Sequence, residues 1–277
     1  MFSIRRMDRS DADFAISLAA AEGWNPGLND ADCFYNTDPA GFFIGELDGD
    51  PVGCISAVAY DDKYGFIGLY VVKPEYRGMG FGIRLWNAAL EYLGDRNIGL
   101  DGVIAQQANY RKSGFRLAYR NIRYEGVACT GSRQENIVAL ETLPFKDVVR
   151  YDAMIFTVQR TEFIRRWIRQ PGSTALGYVE HGSLTGYGVI RPCLNGYKIG
   201  PVFADQEYVA ESLCQALSTT VSGQAIFLDV PEVNPAGNAL AKLLGMQPVF
   251  ETARMYTKEA DLSQLYRVYG VTTFELG

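Results

Sequence analysis

The sequence predicts an α/β (α+β) fold repeated in two domains, each a mixed, mostly antiparallel sheet flanked by helices, and three observations carry that reading. At 277 residues, 48% hydrophobic and 21% charged, the chain has material for two ordinary cores and lacks the bias of a disordered one. The first half orders its periodicities as β-β-β-α-β-α-β, the pattern of a mixed sheet with helices packed on it. The second half repeats the end of that pattern. IFLDV at 226–230 echoes IGLDG at 98–102, and each is followed by a helix candidate and a Gly-apolar step, Gly245-Met246 against Gly114-Phe115.

A first helix is predicted over 10–22, with Ser10 as its cap, Asp11 and Asp13 near its positive end, and Phe14, Leu18 and Ala21 on one face. Residues 41–72 hold three strand-like runs broken by LDGDP and DDKYG, the turn chemistry of an antiparallel meander. Ile83, Trp86, Leu90 and Leu93 then recur at helical spacing up to Gly94. NIGLDGVI reads as a short buried strand, and 106–127 as a short helix ending at Gly114 before a long strand. From 128 to 170 the signal weakens, through polar CTGSRQEN and a charged helix candidate, TEFIRRWIRQ. The domain boundary is placed there, giving domains 1–130 and 131–277.

Composition excludes several classes of function. A net charge of -6 does not supply the basic face that a nucleic-acid partner requires. Cys33, Cys54, Cys129, Cys193 and Cys214 are scattered without a CxxC, so neither a disulfide framework nor a zinc site is expected. The first residues, MFSIRRMDRSDADF, carry charges where a secretion signal needs an apolar stretch, and no segment approaches membrane-spanning length. A cytoplasmic protein without membrane partners is the expectation. His181, the single histidine, sits in a Gly/Ser turn and leaves no basis for a Ser–His pair or a histidine-rich metal site. No metal is expected, and nothing in the sequence indicates an oligomeric state.

The chemistry is concentrated in YVVKPEYRGMGFGIRLW, residues 70–86. Three glycines follow an arginine at a strand-to-helix turn, where unpaired amides of the helix start can receive phosphate oxygens if no side chain intervenes. A Walker A loop would need Lys and Ser/Thr after the last glycine, but Ile83 and Arg84 stand there, and the spacing GxGxG differs from the dinucleotide fingerprint GxGxxG.

Residues 72–82, VKPEYRGMGFG, resemble the acyl-CoA signature of the GNAT superfamily of N-acetyltransferases, RxxGxG after a V-x-P turn, and YRKSGF at 110–115 resembles the family's segment closing that site. The two-copy arrangement resembles bacterial tandem GNAT proteins. The resemblance implies that the strand ending at Val71 and Val72 splays from its neighbour to receive the pantetheine arm of acetyl-CoA, the cosubstrate. The pyrophosphate would then rest on Arg77, Gly78, Met79, Gly80, Phe81 and Gly82. It further implies that Tyr110 is the general acid for the departing thiolate, and that Trp24 and Asn25 lie where the acceptor pocket is built. The sequence departs from the pattern at the base: GFIGLY at 65–70 has no carboxylate, leaving Glu46 and Asp101 as the nearest candidates. The implied activity is N-acetylation of a small-molecule amine by direct attack on the thioester. The alternative is a non-catalytic acyl-CoA-binding sensor or scaffold, which the missing base would suit. By the same comparison the second half is degenerate, with Ala241 standing where Tyr110 stands in the first.

Overall fold

The computed structural model describes residues 1–129 and 135–277, so the predicted boundary at 130/131 lies outside the described residues. The first half runs β1 (Phe2–Arg6), α1 (Arg9–Ala21), α2 (Asp30–Tyr35), β2 (Phe42–Leu47), β3 (Asp50–Ala59), β4 (Tyr64–Val72), α3 (Phe81–Leu93), β5 (Asn97–Val103), α4 (Gln107–Lys112) and β6 (Arg116–Val127). The second half follows the same plan: β7 (Ile137–Ala139), α5 (Phe145–Phe156), α6 (Thr161–Trp167), β8 (Thr174–Glu180), β9 (Ser183–Pro192), β10 (Tyr197–Ala204), α7 (Glu207–Thr219), β11 (Ala225–Pro231), α8 (Pro235–Leu243) and β12 (Gln247–Tyr256). A last strand, β13 (Val268–Gly270), has no counterpart in the first half.

All these strands share one sheet, in the order β1-β2-β3-β4-β5-β12-β6-β11-β10-β9-β8-β7, with β13 beside β10. The order is palindromic once each strand is matched to its copy, and the copies cross over at the centre. β12 pairs antiparallel with β5 from Thr252↔Val103 to Tyr256↔Gly99. Reciprocally, β6 pairs antiparallel with β11 from Ala225↔Val127 to Pro231↔Asn121. β6 and β12 then pair with each other, from Gln247↔Glu125 to Tyr256↔Arg116. Each half therefore completes its sheet with the other half's last strand. The sequence boundary near 130 separates two copies of a plan but not two separable sheets.

Both faces of the sheet are covered, and side-chain alternation assigns the cores. Phe42, Ile44, Cys54 and Val58 point to a core shared with Phe34, Trp167 and Tyr187 under the helices that open each half. Their neighbours Phe43, Ile55 and Ala57 point to the core under α3, whereas α7 and α8 cover the corresponding face of the second half. The cap of α1 is Asp8 rather than Ser10: its carboxylate accepts from the amides of Ser10 at 2.9 Å and Asp11 at 3.1 Å, and Asp11 accepts from the Asp8 amide at 2.9 Å. This reciprocal box satisfies the first donors of the helix and leaves Ser10 inside it. On α3 the buried stripe is Leu85, Trp86, Ala89 and Leu93, while Ile83 is 55% exposed. Gly82 faces inward one turn before Trp86, which rotates Ile83 to solvent. α5 lies in the stretch where periodicity had faded, and α6 covers TEFIRRW.

Exchange of β6 and β12 predicts that residues 1–130 produced alone do not form a stable domain, because β5 loses its outer partner and β6 both of its neighbours. The expected result is no cooperative thermal transition by far-UV circular dichroism; a sharp melt of that fragment would show that the first half folds without β12.

Candidate functional site

The site begins with a break in strand pairing. β4 and β5 pair in parallel from Tyr64↔Asn97 to Ile67↔Leu100 and no further, although β4 continues to Val72 and β5 to Val103. The cause is a bulge. On β3, Cys54 faces Val71 and Ser56 faces Gly68, so Leu69 and Tyr70 together oppose Ile55. Leu69 has φ +45°, a left-handed conformation unfavourable for a branched side chain, and the extra residue bends β4 away from β5. A cavity of about 380 Å³ opens in the gap, bordered by residues 67–72 on one side and 100–103 on the other.

The glycine turn closes one end of this cavity. Gly78 and Gly80 have φ +79° and +83°, and a Cβ on either would meet no atom within 4 Å, so their freedom serves both the turn and the open space above it. Gly80 caps α3 without a side-chain acceptor, leaving the first amides of that 13-residue helix without an internal partner. Gly82 answers to a different constraint, since a Cβ there would lie 2.7 Å from the Tyr70 hydroxyl oxygen. Arg77 donates from Nε to the Val72 carbonyl at 2.9 Å and pairs with Glu22 just beyond α1, stapling the turn to the end of the bulged strand. Val71, Val72, Arg77, Gly78 and Gly82 line the cavity; Met79, Gly80 and Phe81 do not, and Phe81 stacks on Phe2 at 4.4 Å.

Tyr110 enters from the opposite wall. Its helix, α4, ends in a tight turn in which the Phe115 amide donates to the Tyr110 carbonyl at 3.2 Å and Gly114 takes φ +90°. Phe115 is thereby buried, and Trp86 of α3 packs against both Tyr110 at 5.5 Å and Phe115 at 5.6 Å. The Trp86 indole N–H donates to Ser113 at 3.0 Å, fixing the turn against α3. Gly102 lies beneath the Tyr110 ring, where any Cβ would collide with it. The half-buried phenol borders the cavity, and burial, reinforced by the neighbouring Tyr70 phenol, pushes its pKa up to about 12.

The four acceptor-side candidates have different fates. Trp24 borders the cavity, and its carbonyl accepts from Arg123 at 2.9 Å and from Lys198 at 3.1 Å. Burial, aided by Arg123, lowers the Lys198 ammonium to about 8. Asn25 points away: its amide donates to the Asn195 carbonyl at 3.1 Å and its oxygen accepts from the Asn195 amide at 2.9 Å, so it brackets the two halves together. Glu46 is also displaced, being paired with Arg5 at 2.8 Å on β2, two strands from β4 and outside the cavity. Asp101 borders the cavity but is committed to Arg254 of β12, which donates from Nε at 3.0 Å and from Nη2 to the other oxygen. Asn121 donates to it as well, at 2.8 Å. Burial pushes the Asp101 carboxyl upward and Arg254 draws it back, so Asp101 anchors β12 with its lone pairs already engaged.

A second wall from the C-terminal half was expected, but sequence reasoning named none of its residues: Phe250, Thr252, Phe274 and Glu275 border the cavity, joined by Arg123 of β6. Arg123 is paired bidentately with Asp229 at 2.7 and 2.8 Å and stacks over Phe274 at 4.7 Å. The corresponding gap of the second half is closed. β10 and β11 pair only from Tyr197↔Ile226 to Ile199↔Leu228, and beyond that point β13 pairs with β10 at Val202↔Gly270. The turn after α8 repeats the one after α4, the Met246 amide donating to the Ala241 carbonyl at 3.0 Å, but no phenol stands there. Among the described residues no cluster of metal-ligating side chains occurs, and no helix is long and apolar enough to cross a membrane.

Comparison with known proteins finds the GNAT acetyltransferase family at residues 6–115 and a further GNAT acetyltransferase domain at 148–270. A holothin acyltransferase of Pseudoalteromonas sp. is 30% identical over 264 residues, which cover 94% of this chain and 89% of that protein. Among solved structures, a Pyrococcus horikoshii protein named as a candidate acetyltransferase superposes with a TM-score of 0.85 at 24% identity, covering 100% of this chain and 96% of its own. A tandem GNAT protein of the clavulanic acid biosynthesis pathway shares the fold at TM-score 0.65 and 15% identity, over 94% of this chain and 100% of that one.

The commitment of Asp101 to Arg254 makes a stability prediction. Arg254→Met leaves a carboxylate buried without its partner and should cost about 3–5 kcal/mol in urea unfolding, whereas Asp101→Leu/Arg254→Met should recover part of that loss. Equal stability of Arg254→Met and wild type would show that the pair does not hold β12 against β5.

Proposed function

Because the chain belongs to the GNAT acetyltransferase family in its tandem form, we propose that it moves an acetyl group from acetyl-CoA to the amine of a small molecule by direct attack on the thioester. The observation that carries the reading is the parting of β4 from β5 beside an uncapped helix start, with Tyr110 on the facing wall.

The residues present fit the cosubstrate. The turn at Gly78 and Gly80 offers bare amides and open space to a pyrophosphate, and the β4 edge past Gly68 offers main-chain groups to a pantetheine amide chain. Acetyl-CoA supplies the activated acyl carbon. A main-chain N–H near Val71 or Val72 would stabilise the negative charge that develops on the acyl oxygen, as in any oxyanion site. Tyr110 donates its proton to the departing sulfur. With its pKa near 12 the phenol stays protonated through the neutral range, which an acid requires.

The acceptor would enter against Trp24, Phe250 and Phe274. These aromatic surfaces favour an amine carried on an apolar or planar body over a strongly cationic one. Asp101, already neutralised by Arg254, offers little to a polycation.

Two variants test the assignment. Gly80→Val places a branched side chain at φ +83°, and isothermal calorimetry should register loss of acetyl-CoA binding; unchanged affinity in a folded variant would put the cosubstrate elsewhere. Tyr110→Phe should retain acetyl-CoA affinity while turnover falls about 10²- to 10⁴-fold under conditions where chemistry limits the rate. Wild-type turnover in that variant would reduce Tyr110 to a packing role.

A further inference from the structure

Acyl transfer needs a group to take the acceptor's proton, and neither sequence candidate serves: Glu46 lies outside the cavity and Asp101 is engaged by Arg254, Asn121 and Thr252. Three carboxylates border the cavity. Glu22 is spent on Arg77 and Asp101 on Arg254, which leaves Glu275, near the end of the chain and outside every ion pair among the described residues.

The placement of Glu275 is built rather than incidental. After β13 fills the second half's gap, the Val271 amide donates to the Asp229 carbonyl at 2.8 Å, and the chain crosses to the first half. There it runs over β4 so closely that a Cβ on Gly68 would collide with the Glu275 carbonyl. Gly68 is the residue directly after the last β4–β5 pair and directly before the bulge at Leu69. The tail thus reaches the apex of the opening. Glu275 is 4% exposed. The Thr273 hydroxyl donates to its Oε2, and the Thr273 Oγ1 in turn accepts from the Glu275 amide at 2.9 Å, which fixes the side chain's direction.

Resting on the acyl-transfer reading, we propose that the Glu275 carboxylate is the general base that deprotonates the acceptor amine. The balance is complete without another reactant. Glu275 takes one proton from the acceptor ammonium; the freed nitrogen lone pair forms the N–C bond; the C–S bond breaks and its electrons pass to sulfur, which takes the phenol proton of Tyr110. The second proton on nitrogen restores the phenol, and Glu275 returns its own to solvent. Thr273 is a positioning residue in this scheme.

Charges facing Glu275 from neighbouring elements are Arg123 of β6, Arg191 of β9 and Lys198 of β10; Asp229 of β11 pairs with Arg123, and Asp101, paired with Arg254, borders the same cavity. Arg123 and Arg191 are each satisfied by a bidentate aspartate, Asp229 and Asp30, so neither needs Glu275 as its counter-ion. Lys198, whose ammonium donates to the Trp24 carbonyl at 3.1 Å, is the facing cation that forms no ion pair among the described residues.

The test uses full-length protein, acetyl-CoA and a panel of arylalkyl and aliphatic primary amines, with thiol release as the readout. Glu275→Gln, nearly isosteric, should keep the KM for acetyl-CoA, lower kcat about 10²- to 10⁴-fold and remove the acidic limb of the kcat/KM pH profile. Glu275→Ala should be inactive and partly restored by added formate, a rescue that a merely structural carboxylate would not show. Wild-type kcat and an intact acidic limb in Glu275→Gln overturn the proposal, and so does an inactive Glu275→Ala that binds acetyl-CoA normally but ignores formate. A wild-type protein that acetylates no amine overturns the acyl-transfer reading and the base with it, whereas a wild-type turnover matched by Glu275→Gln removes only the base.

Discussion

The antiparallel pairing of β6 with β12 is the constraint on which the rest of the molecule depends. It joins two copies of one plan through the centre of their sheets, so that β5 is completed by β12 and β11 by β6. A sheet edge left open at either place would expose a row of unpaired main-chain groups. Crossing the strands satisfies both edges at once and brings residues far apart in sequence, such as Thr252 and Phe250, to the mouth of the opening between β4 and β5. The wall of the cavity that β12 supplies is therefore a product of the crossing, and Arg254 holds it in register through Asp101.

Duplication gave each half a parallel pair that separates after a few residues, and the two halves treat that separation differently. In the first, a bulge at Leu69 and Tyr70 holds the gap open and glycines clear the adjoining turn. In the second, β13 occupies the gap, its pairing with β10 satisfying the main-chain groups that a pantetheine arm would otherwise contact. α7 opens with Gln206 and Glu207 where α3 opens with Gly80 and Phe81, so a negative charge stands at the end that would meet a phosphate. Two separate changes, one in the strands and one at the helix start, therefore set the second opening apart from the first.

How much was legible in the sequence follows from the distance over which each feature is encoded. The strand order of the first half, the glycine turn, and the Tyr110–Phe115 segment are written in contiguous residues, and the structure brings Tyr110, Val71, Val72, Arg77 and Gly78 to one cavity. The echo between IGLDG and IFLDV marked β5 and β11 correctly as copies. The crossing was illegible, because which strand pairs with β5 is decided by packing and not by periodicity. Carboxylates were misjudged for a related reason. Asp101 looked available only because Arg254 stands 153 residues away, and Glu46 only because its partner Arg5 lies on another strand. FELG, the last four residues, carries no pattern at all, so Glu275 could be placed only by the fold.

The passage of the chain from β13 to Glu275 gives the site an unusual independence of parts. On the proposed reading the contacts that would hold acetyl-CoA belong to β4, α3 and α4, whereas Phe250 sits on β12 and Phe274 on the segment after β13. If the acyl-transfer reading holds, amino-acid replacement at those two positions alters which acceptor is admitted while the half that would handle the thioester keeps its sequence. On that reading the second half becomes the variable part of its twin, and new acceptor ranges can arise in such a lineage without passing through an ancestor that has lost its cosubstrate.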